Sequence, residues 1–210
     1  MLAASSAFAA RPFVTDDARV VRPGGCQIES FAKQLRAHRG AEYWFLPACN
    51  PLERAELTAG VRRIAVDGEP TTDGLILQAK TLLRALEPNG TGFALTLGSL
   101  RDTPGAGWTP YLNAIASSSF LNDVLVVHAN AGGLRDPVDA RRPYTWGLGA
   151  ELAFSSRVSG IAEGYGQRGE PPSRQLGVRY WIEPNRFQVD GTMGWQRGTS
   201  WVSAGIRLLF

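Results

Sequence analysis

The C-terminal segment Trp201-Val202-Ser203-Ala204-Gly205-Ile206-Arg207-Leu208-Leu209-Phe210 decides the fold. Its side chains alternate in character with a period of two. One face collects Val202, Ala204, Ile206, Leu208 and Phe210, and the other collects Ser203, Gly205 and Arg207. Because successive side chains of a strand point to opposite faces, this alternation predicts a β-strand with one apolar and one polar face.

The same alternation recurs upstream. Segments 187–195, 175–183 and 144–154 each carry an apolar row on one face and mostly glycine, polar or charged residues on the other. Counting back from Phe210, about twelve strands follow one another, an even number. The sequence therefore predicts an all-β, antiparallel chain over residues 26–210.

Composition excludes several other classes of protein. The chain has 210 residues, of which 44% are apolar and 20% charged, with a formal net charge of +3. This length suits one domain with a sizeable core. The basic excess is too small to indicate a nucleic-acid partner. The longest uncharged run, 103–122, contains prolines, glycines and polar residues, so it does not predict a membrane-spanning helix.

Either face of such strands could be the buried one. The apolar face turns inward in a soluble sandwich or lipocalin-like barrel, and outward to lipid in a transmembrane barrel. Two features favour the lipid-facing sense: the chain ends within a strand, at Phe210, and aromatic residues gather at strand ends, as interfacial girdles do. These aromatic residues are Trp44, Trp108, Tyr144, Trp146, Trp195, Trp201 and Phe210.

Loop length is the third feature. Short connections are predicted at 49–53, 87–90, 119–123, 155–157 and 183–186. Longer ones, rich in Gly, Pro, Asp and Arg, are predicted at 66–74, 99–107, 132–143 and 166–174. This alternation is typical of an outer-membrane barrel with short periplasmic turns and longer extracellular loops.

The first half of the chain is open to a second interpretation. Segments 51–63 and 73–86 would also pass as amphipathic helices, with Asp73 as a cap. We favour strands there, because a lipid-facing barrel cannot leave a gap in its wall.

The N-terminus indicates export. Residues 1–9 are small and apolar, and Ala7 and Ala9 have the spacing of a signal-peptidase site. We interpret 1–9 as the remnant of a signal peptide, 10–25 as an N-terminal segment and 26–210 as the barrel. The alternative for 1–9 is an ordinary Ala-rich terminus. Export would place the protein in the outer membrane of a Gram-negative bacterium, with its cysteines in an oxidising compartment.

Hairpin arithmetic predicts two pairs of facing residues. If Pro184-Asn185 is a two-residue turn, Arg179 lies opposite Asp190 on the polar face and Tyr180 lies opposite Val189. A turn near His38 brings Cys26 and Cys49 to the same end of adjacent strands, within disulfide reach. We therefore predict a Cys26–Cys49 disulfide, with two free thiols as the alternative.

The polar faces supply the candidate lumen residues. Mixed charge is the ordinary state of a wet barrel interior, so we assign these residues to the lumen and not to catalysis. The inward arginine–aspartate pair is interpreted as structural, with a solute-contacting charge as the alternative. The candidates are Glu29, Lys33, Glu56, Arg62, Lys80, His128, Asn130, Glu151, Glu163, Arg179, Asp190 and Arg207.

Catalytic and metal-binding patterns are not evident. Some outer-membrane lipases carry a serine two residues after a histidine, so that the imidazole can activate the hydroxyl. Here His38 is followed two residues later by Gly40, and His128 by Asn130. Clustered Cys/His spacing for zinc is missing as well. We expect no enzyme activity, metal or cofactor.

Several motifs resemble one known family. These are residues 11–18 (RPFVTDDA), 25, 27–29, 78–82, 87–90 and 162–165. They are similar to a family of outer-membrane transporters labelled after the MetA pathway of phenol degradation. The resemblance implies an outer-membrane β-barrel and uptake of small organic solutes, aromatic ones among them. The chain departs from that pattern at residues 18–20 and at Cys26, where an aromatic residue would be expected.

Three functions follow as hypotheses. The first is a passive channel for small solutes, with a narrow charged lumen between the filled eight-stranded and the open sixteen-stranded barrel. The second is a closed barrel for structure or surface interaction, filled by ion pairs and by Phe31, Tyr165 and Trp181. The third is an outer-membrane lipid hydrolase. The expected partners are outer-membrane lipid, a small solute and the barrel-assembly machinery, which would engage the C-terminal strand ending at Phe210.

The segment 10–25 is expected to be either a lumen plug or a loose periplasmic tail. As a plug, its Asp16 and Asp17 would meet inward arginines such as Arg62, Arg179 or Arg207. Deleting residues 11–22 would then raise conductance.

Overall fold

Twelve β-strands form the molecule. The structure, a computed structural model, describes residues 13–36, 39–105, 107–138 and 141–210. The strands are β1 (Cys26–Leu35), β2 (Gly40–Cys49), β3 (Ala55–Val66), β4 (Thr72–Arg84), β5 (Thr91–Thr103), β6 (Trp108–Phe120), β7 (Leu125–Leu134), β8 (Tyr144–Ala153), β9 (Val158–Gln167), β10 (Ser173–Glu183), β11 (Phe187–Gln196) and β12 (Thr199–Leu209). Among the described residues, no helix is long and apolar enough to cross a membrane.

The sheet closes on itself. Each strand pairs antiparallel with its sequence neighbours, and β12 pairs with β1, with Gln27 facing Leu209. The amides of Cys26 and Phe210 each donate to the other's carbonyl, at 2.8 and 2.9 Å. The predicted antiparallel barrel of about twelve strands is confirmed, and so are strands in the ambiguous first half, where β3 and β4 lie.

The barrel has its apolar face outside. Leu97, Leu112 and Leu148 are more than half exposed, whereas Glu56 and Lys80 are buried in the interior. Exposed apolar rows around a polar interior are the reverse of a soluble barrel, because only lipid makes such an exterior favourable. The lipid-facing alternative is therefore the one that the structure supports.

Two aromatic residues depart from the predicted girdles. Trp44 and Trp201 are buried inside the barrel, whereas the other five residues of the set are exposed. Trp201 stands near the start of β12, as predicted, whereas Trp44 lies in the middle of β2, and the alternation of both strands turns the two tryptophans inward. Trp44 packs with Leu46, Ile76 and Leu100.

The predicted contrast in loop length is mostly wrong. Only residues 135–143 form a distinctly longer connection, while 67–71, 104–107 and 168–172 are as short as the turns at the other end. The reason is that the strands continue into the segments expected to be loops. Strands β4, β5 and β6 are each 13 residues long, and β5 extends through Arg101 to Thr103.

The end of the barrel that holds Cys26 and Phe210 is called here the terminal end. At this end, Cys26 faces Cys49 across β1 and β2, and the two are joined in the predicted disulfide. Arg179 faces Asp190 and Tyr180 faces Val189, as predicted. The turn itself differs from the expected one. It spans residues 184–186, and a bulge between Trp181 and Glu183 restores the register.

Candidate functional site

A segment that is not a strand lies inside the barrel, in the half of the lumen nearer the terminal end. Residues 13–21, called here the inner segment, lie inside the barrel, and Phe13, Thr15, Asp16, Ala18 and Val21 are buried. The chain then reaches the terminal end, where the Gly24 amide donates to the Asn50 carbonyl at 2.8 Å. From the predicted segment 10–25, residues 10–12 lie outside the described part of the chain. So do the predicted signal-peptide remnant 1–9 and His38.

Glu163 holds the first part of the inner segment by its backbone. Its carboxylate accepts the amides of Val14 at 2.8 Å and Thr15 at 2.7 Å. Gln175 of the neighbouring strand β10 donates to the same carboxylate at 2.6 Å. Hydrogen bonds to a charged acceptor contribute about 1.5–3 kcal/mol each, so this one side chain is a substantial anchor.

Asn130 binds both backbone groups of the next residue. Its Oδ1 accepts the Asp16 amide at 2.7 Å, and its Nδ2 donates to the Asp16 carbonyl at 2.8 Å. Asn113, across the β6–β7 pair, donates to the same Oδ1 at 3.0 Å and thereby orients the amide group. The side chain of Asn130 thus takes the place that a neighbouring β-strand would take.

Lys80 is the charged centre of the site. Its Nζ donates to Asp16 at 2.7 Å and to Asp17 at 3.1 Å, and Thr96 donates to Asp16 at 3.0 Å. All three ionic side chains are buried. A buried ammonium between two buried carboxylates is stable only while the partners stay together.

This arrangement corrects the expected partners of Asp16 and Asp17. The three arginines named for that role form ion pairs with residues of the barrel wall instead. Arg62 pairs with Asp102, Arg179 with Glu151, and Arg207 with Glu29. Lys80 meets the aspartates because its position along β4 lies at the depth that Asp16 and Asp17 reach.

The rest of the inner segment is bound in the same way. The Ala18 amide donates to Ser117 Oγ at 2.9 Å, and the Val21 amide donates to Glu56 at 2.9 Å. Ser117 Oγ also lies 2.8 Å from His128 Nδ1. This Ser–His pair is buried beneath the inner segment, and the serine is engaged by Ala18, so the pair positions backbone and does not face a substrate.

Strand β8 makes room for the segment with glycine. A Cβ added at Gly147 would lie 2.7 Å from Thr15 Oγ1, and one at Gly149 would lie 2.9 Å from the Phe13 ring. Phe13 packs edge-on to His128, with ring centroids 5.2 Å apart, and against Ile161. The two inward glycines therefore form a groove that fits residues 13–15.

One small cavity lies beside the inner segment in the described part of the chain. A cavity of about 30 Å³ lies between Asp16, Arg19 and the wall residues that include Glu29, Glu56 and Lys80. That volume accommodates little more than a water molecule. Nearer the opposite end, the lumen holds buried apolar clusters, one around Trp44 and Ile76 and one around Tyr165 and Trp201.

All twelve predicted lumen residues lie on the inward side of their strands. Nine are buried, and Lys33, Glu151 and Arg207 are partly buried. The inner segment brings together Lys80, His128, Asn130, Glu56 and Glu163. Of the remaining candidates, Glu29 and Arg207 line the small cavity beside Asp16, and Glu151 lies 3.9 Å from Arg19 of the inner segment.

Two inward carboxylates were missed in the sequence. Glu42 pairs with Lys33 at 3.2 Å, and Asp102 pairs with Arg62. Glu42 was discoverable, because the register of the first hairpin sets it opposite Lys33. Asp102 was hidden by the assignment of its segment to a loop. In the described ranges, no group of three or more His, Cys, Asp or Glu residues could hold a metal ion.

The whole chain, residues 1–210, matches the family described as "Uncharacterised conserved protein UCP029691", and the protein belongs to that family. No curated protein matches the sequence. Among solved structures, the KdgM porin is 12% identical, with a TM-score of 0.69 over 87% of this chain and 98% of its own. KdgM porin in complex with disordered oligogalacturonate is 11% identical, with a TM-score of 0.66 over 88% and 98%.

The COG4313 outer membrane channel from Pseudomonas putida F1 is 9% identical, with a TM-score of 0.67 over 91% of this chain and 97% of its own. At such low identities the likeness concerns the fold. The fold is that of outer-membrane porins and channels.

Proposed function

We propose that this member of the UCP029691 family is a passive channel of the Gram-negative outer membrane, closed in the described conformation by its inner segment. The apolar exterior requires lipid, and a closed sheet leaves no unpaired edge within it. Both termini of the barrel lie at one end. In outer-membrane barrels that end faces the periplasm, where the assembly machinery would engage β12.

One observation carries the proposal: the half of the lumen nearer the terminal end holds a segment that is not part of the wall. A barrel built only for structure can fill its interior with the side chains of its own strands. Here Glu163, Asn130 and Lys80 instead bind a separate segment, mostly through its backbone and two carboxylates. Polar contacts of this kind exchange readily with water once the segment moves, so the segment is suited to leave.

Small organic solutes are the proposed cargo. The similarity to the phenol-degradation family implies aromatic solutes, and the cluster of Trp44, Leu46, Ile76 and Leu100 offers an apolar surface within the lumen. Ion pairs such as Arg62–Asp102 line the same region. A solute that combines an apolar or aromatic group with a charged group would match both. The KdgM porin, of the same fold, is known in complex with an acidic oligosaccharide, oligogalacturonate.

Planar-bilayer conductance tests the proposal. The full chain is compared with a variant that lacks residues 11–22, after both have been shown to run as folded barrels on a heat-modifiable gel. The wall is expected to survive the deletion, because all twelve strand pairings close without those residues. The variant should show discrete ohmic steps, and the full chain should be mostly silent. A folded but silent variant would contradict the channel.

A closed barrel is the second candidate, favoured by the buried clusters at the opposite half of the lumen. If these clusters seal the barrel by themselves, the deletion variant will stay silent.

A further inference from the structure

The contacts around the inner segment are those of a peptide-binding site. We propose that the lumen binds short acidic peptides, and that residues 13–18 occupy this site as an internal ligand. The proposal rests on the proposed channel function. A free peptide can reach the site only in the open barrel, after the inner segment has left the lumen.

Recognition begins with backbone groups. Glu163 accepts two consecutive amides, those of Val14 and Thr15, and Asn130 binds the amide and the carbonyl of Asp16. None of these contacts depends on the side chain of the bound residue. Two consecutive amides that point to one carboxylate require a bent backbone, and the segment bends at Val14 and Thr15, so the site fits a peptide that can adopt this bend.

Two carboxylates supply the specificity. Lys80 and Thr96 bind Asp16, and Lys80 also binds Asp17. Lys80 is buried, so a peptide with uncharged residues at these two positions would leave its ammonium without a carboxylate from the ligand. The site therefore selects peptides with adjacent acidic residues.

The groove sets a third requirement. Three residues before the first aspartate, Phe13 packs on His128 and Ile161 beside Gly149. An apolar or aromatic residue at that position of a free peptide would fill the same space. The preferred ligand is thus an acidic peptide whose aromatic residue precedes two aspartates by three positions.

An attached segment competes strongly with a free ligand. Its effective concentration is in the range of about millimolar or above, as for other short tethers. A free peptide should therefore bind poorly to the natural protein and well to a full-length variant whose own segment has lost its charges. The Asp16→Asn, Asp17→Asn double variant meets that condition and keeps the whole chain.

The test is fluorescence polarisation with a dye-labelled, acetylated peptide of the sequence Phe-Val-Thr-Asp-Asp-Ala. The peptide should bind the folded double variant at least about tenfold more tightly than it binds the natural protein, the effect of a hydrogen bond to a charged group. Adding Lys80→Met to the double variant should abolish the gain. The single variant Asp73→Asn, which breaks an exposed ion pair with Arg63 on the outer surface, should behave as the natural protein does.

The outcomes separate this inference from the channel. Equal binding of the labelled peptide and of its Asn-Asn counterpart to the double variant would overturn acidic specificity. No binding to the folded double variant would overturn the site, whatever its conductance. Binding accompanied by silent bilayers, in the double variant and in the deletion variant, would leave the peptide site standing and overturn the channel.

Discussion

Lys80 is the residue on which the closed conformation most depends. It is buried, and its two carboxylate partners belong to the inner segment and not to the wall. Replacing Lys80 with Met should therefore destabilise the seated segment without breaking an ion pair of the wall. Loss of one partner of a buried ion pair costs about 3 kcal/mol or more, which corresponds to about 100-fold in the population of the seated segment.

Single-channel recording measures this effect as open probability. Lys33→Met is the matched control, because Lys33 also lies in the lumen but pairs with Glu42 of the wall. The Lys80 variant should open frequently, and the Lys33 variant should behave as the natural protein does. Equal open probabilities would show that Lys80 does not hold the closed state.

For individual residues, the sequence predicted which side chains point inward but not which of them contact one another. Alternation alone placed Lys80, Asn130 and Glu163 on the inward faces, and the motif at 11–18 drew attention to Asp16 and Asp17. The pairing of Asp16 with Lys80 depends on how far the inner segment reaches along the lumen axis. Periodicity along one strand carries no information on that depth.

Strand β8 is the element that gives the inner segment its space. In the double variant Gly147→Ala, Gly149→Ala, each new methyl group would press on Thr15 or Phe13. Overpacking of this kind costs about 1–3 kcal/mol, so the segment should leave roughly tenfold more often. Hydrogen exchange of the peptide that contains residues 13–21 should accelerate by that factor.

A glycine with room around it provides the control. A Cβ at Gly133 of β7 would have its nearest neighbour 3.5 Å away, an ordinary contact. Gly133→Ala should therefore leave the exchange of residues 13–21 unchanged. Equal acceleration in both variants would mean that general loosening of the barrel, and not the groove, governs the segment.

The disulfide ties β1 to β2 beside the point where the inner segment leaves the lumen. Replacing both Cys26 and Cys49 with Ser should lower the free energy of unfolding by about 2–4 kcal/mol, the usual range for removal of a native disulfide. Urea titration of the folded barrel in detergent measures the loss. Reducing the natural protein should lower its stability equally, and an undiminished stability after reduction would show that the cross-link is dispensable.

Elements were predicted better than their ends. The strong alternation in β8 and β10 to β12 identified those strands, and the register of the β10–β11 hairpin followed from its turn even though the turn has one more residue than expected. The Gly, Pro and Asp residues of segments 66–74 and 99–107 predict long loops there. Interstrand hydrogen bonds override such local preferences, and strands β4 and β5 extend into these segments.

The whole barrel carries an excess of inward carboxylates. Among the residues that the structure describes, seven of them face five cationic side chains when the inner segment is not counted. The carboxylates are Glu29, Glu42, Glu56, Asp102, Glu151, Glu163 and Asp190, and the cations are Lys33, Arg62, Lys80, Arg179 and Arg207. An open lumen with this balance should favour cations over anions of similar size.

The reversal potential of the 11–22 deletion variant in a KCl gradient measures this preference. At about 0.1 M salt, where the Debye length is about 10 Å, the potential should have the sign of K⁺ selectivity. Replacing Glu56 and Glu163 with Gln should move it towards zero. A chloride-selective pore would show that the permeation path avoids these carboxylates.

Closure of the barrel by the inner segment is tested with a reversible covalent lock between the segment and the wall. The Thr15 Cβ lies 3.3 Å from where a Cβ at Gly147 would be, close to the disulfide range of about 3.5–4.5 Å. In the Lys80→Met background, the added pair Thr15→Cys, Gly147→Cys can tether the segment. Bilayers should be silent when this variant is oxidised and should show steps after reductant is added, while Lys80→Met alone conducts throughout. Conduction in the oxidised, tethered variant would show that the inner segment does not close the barrel.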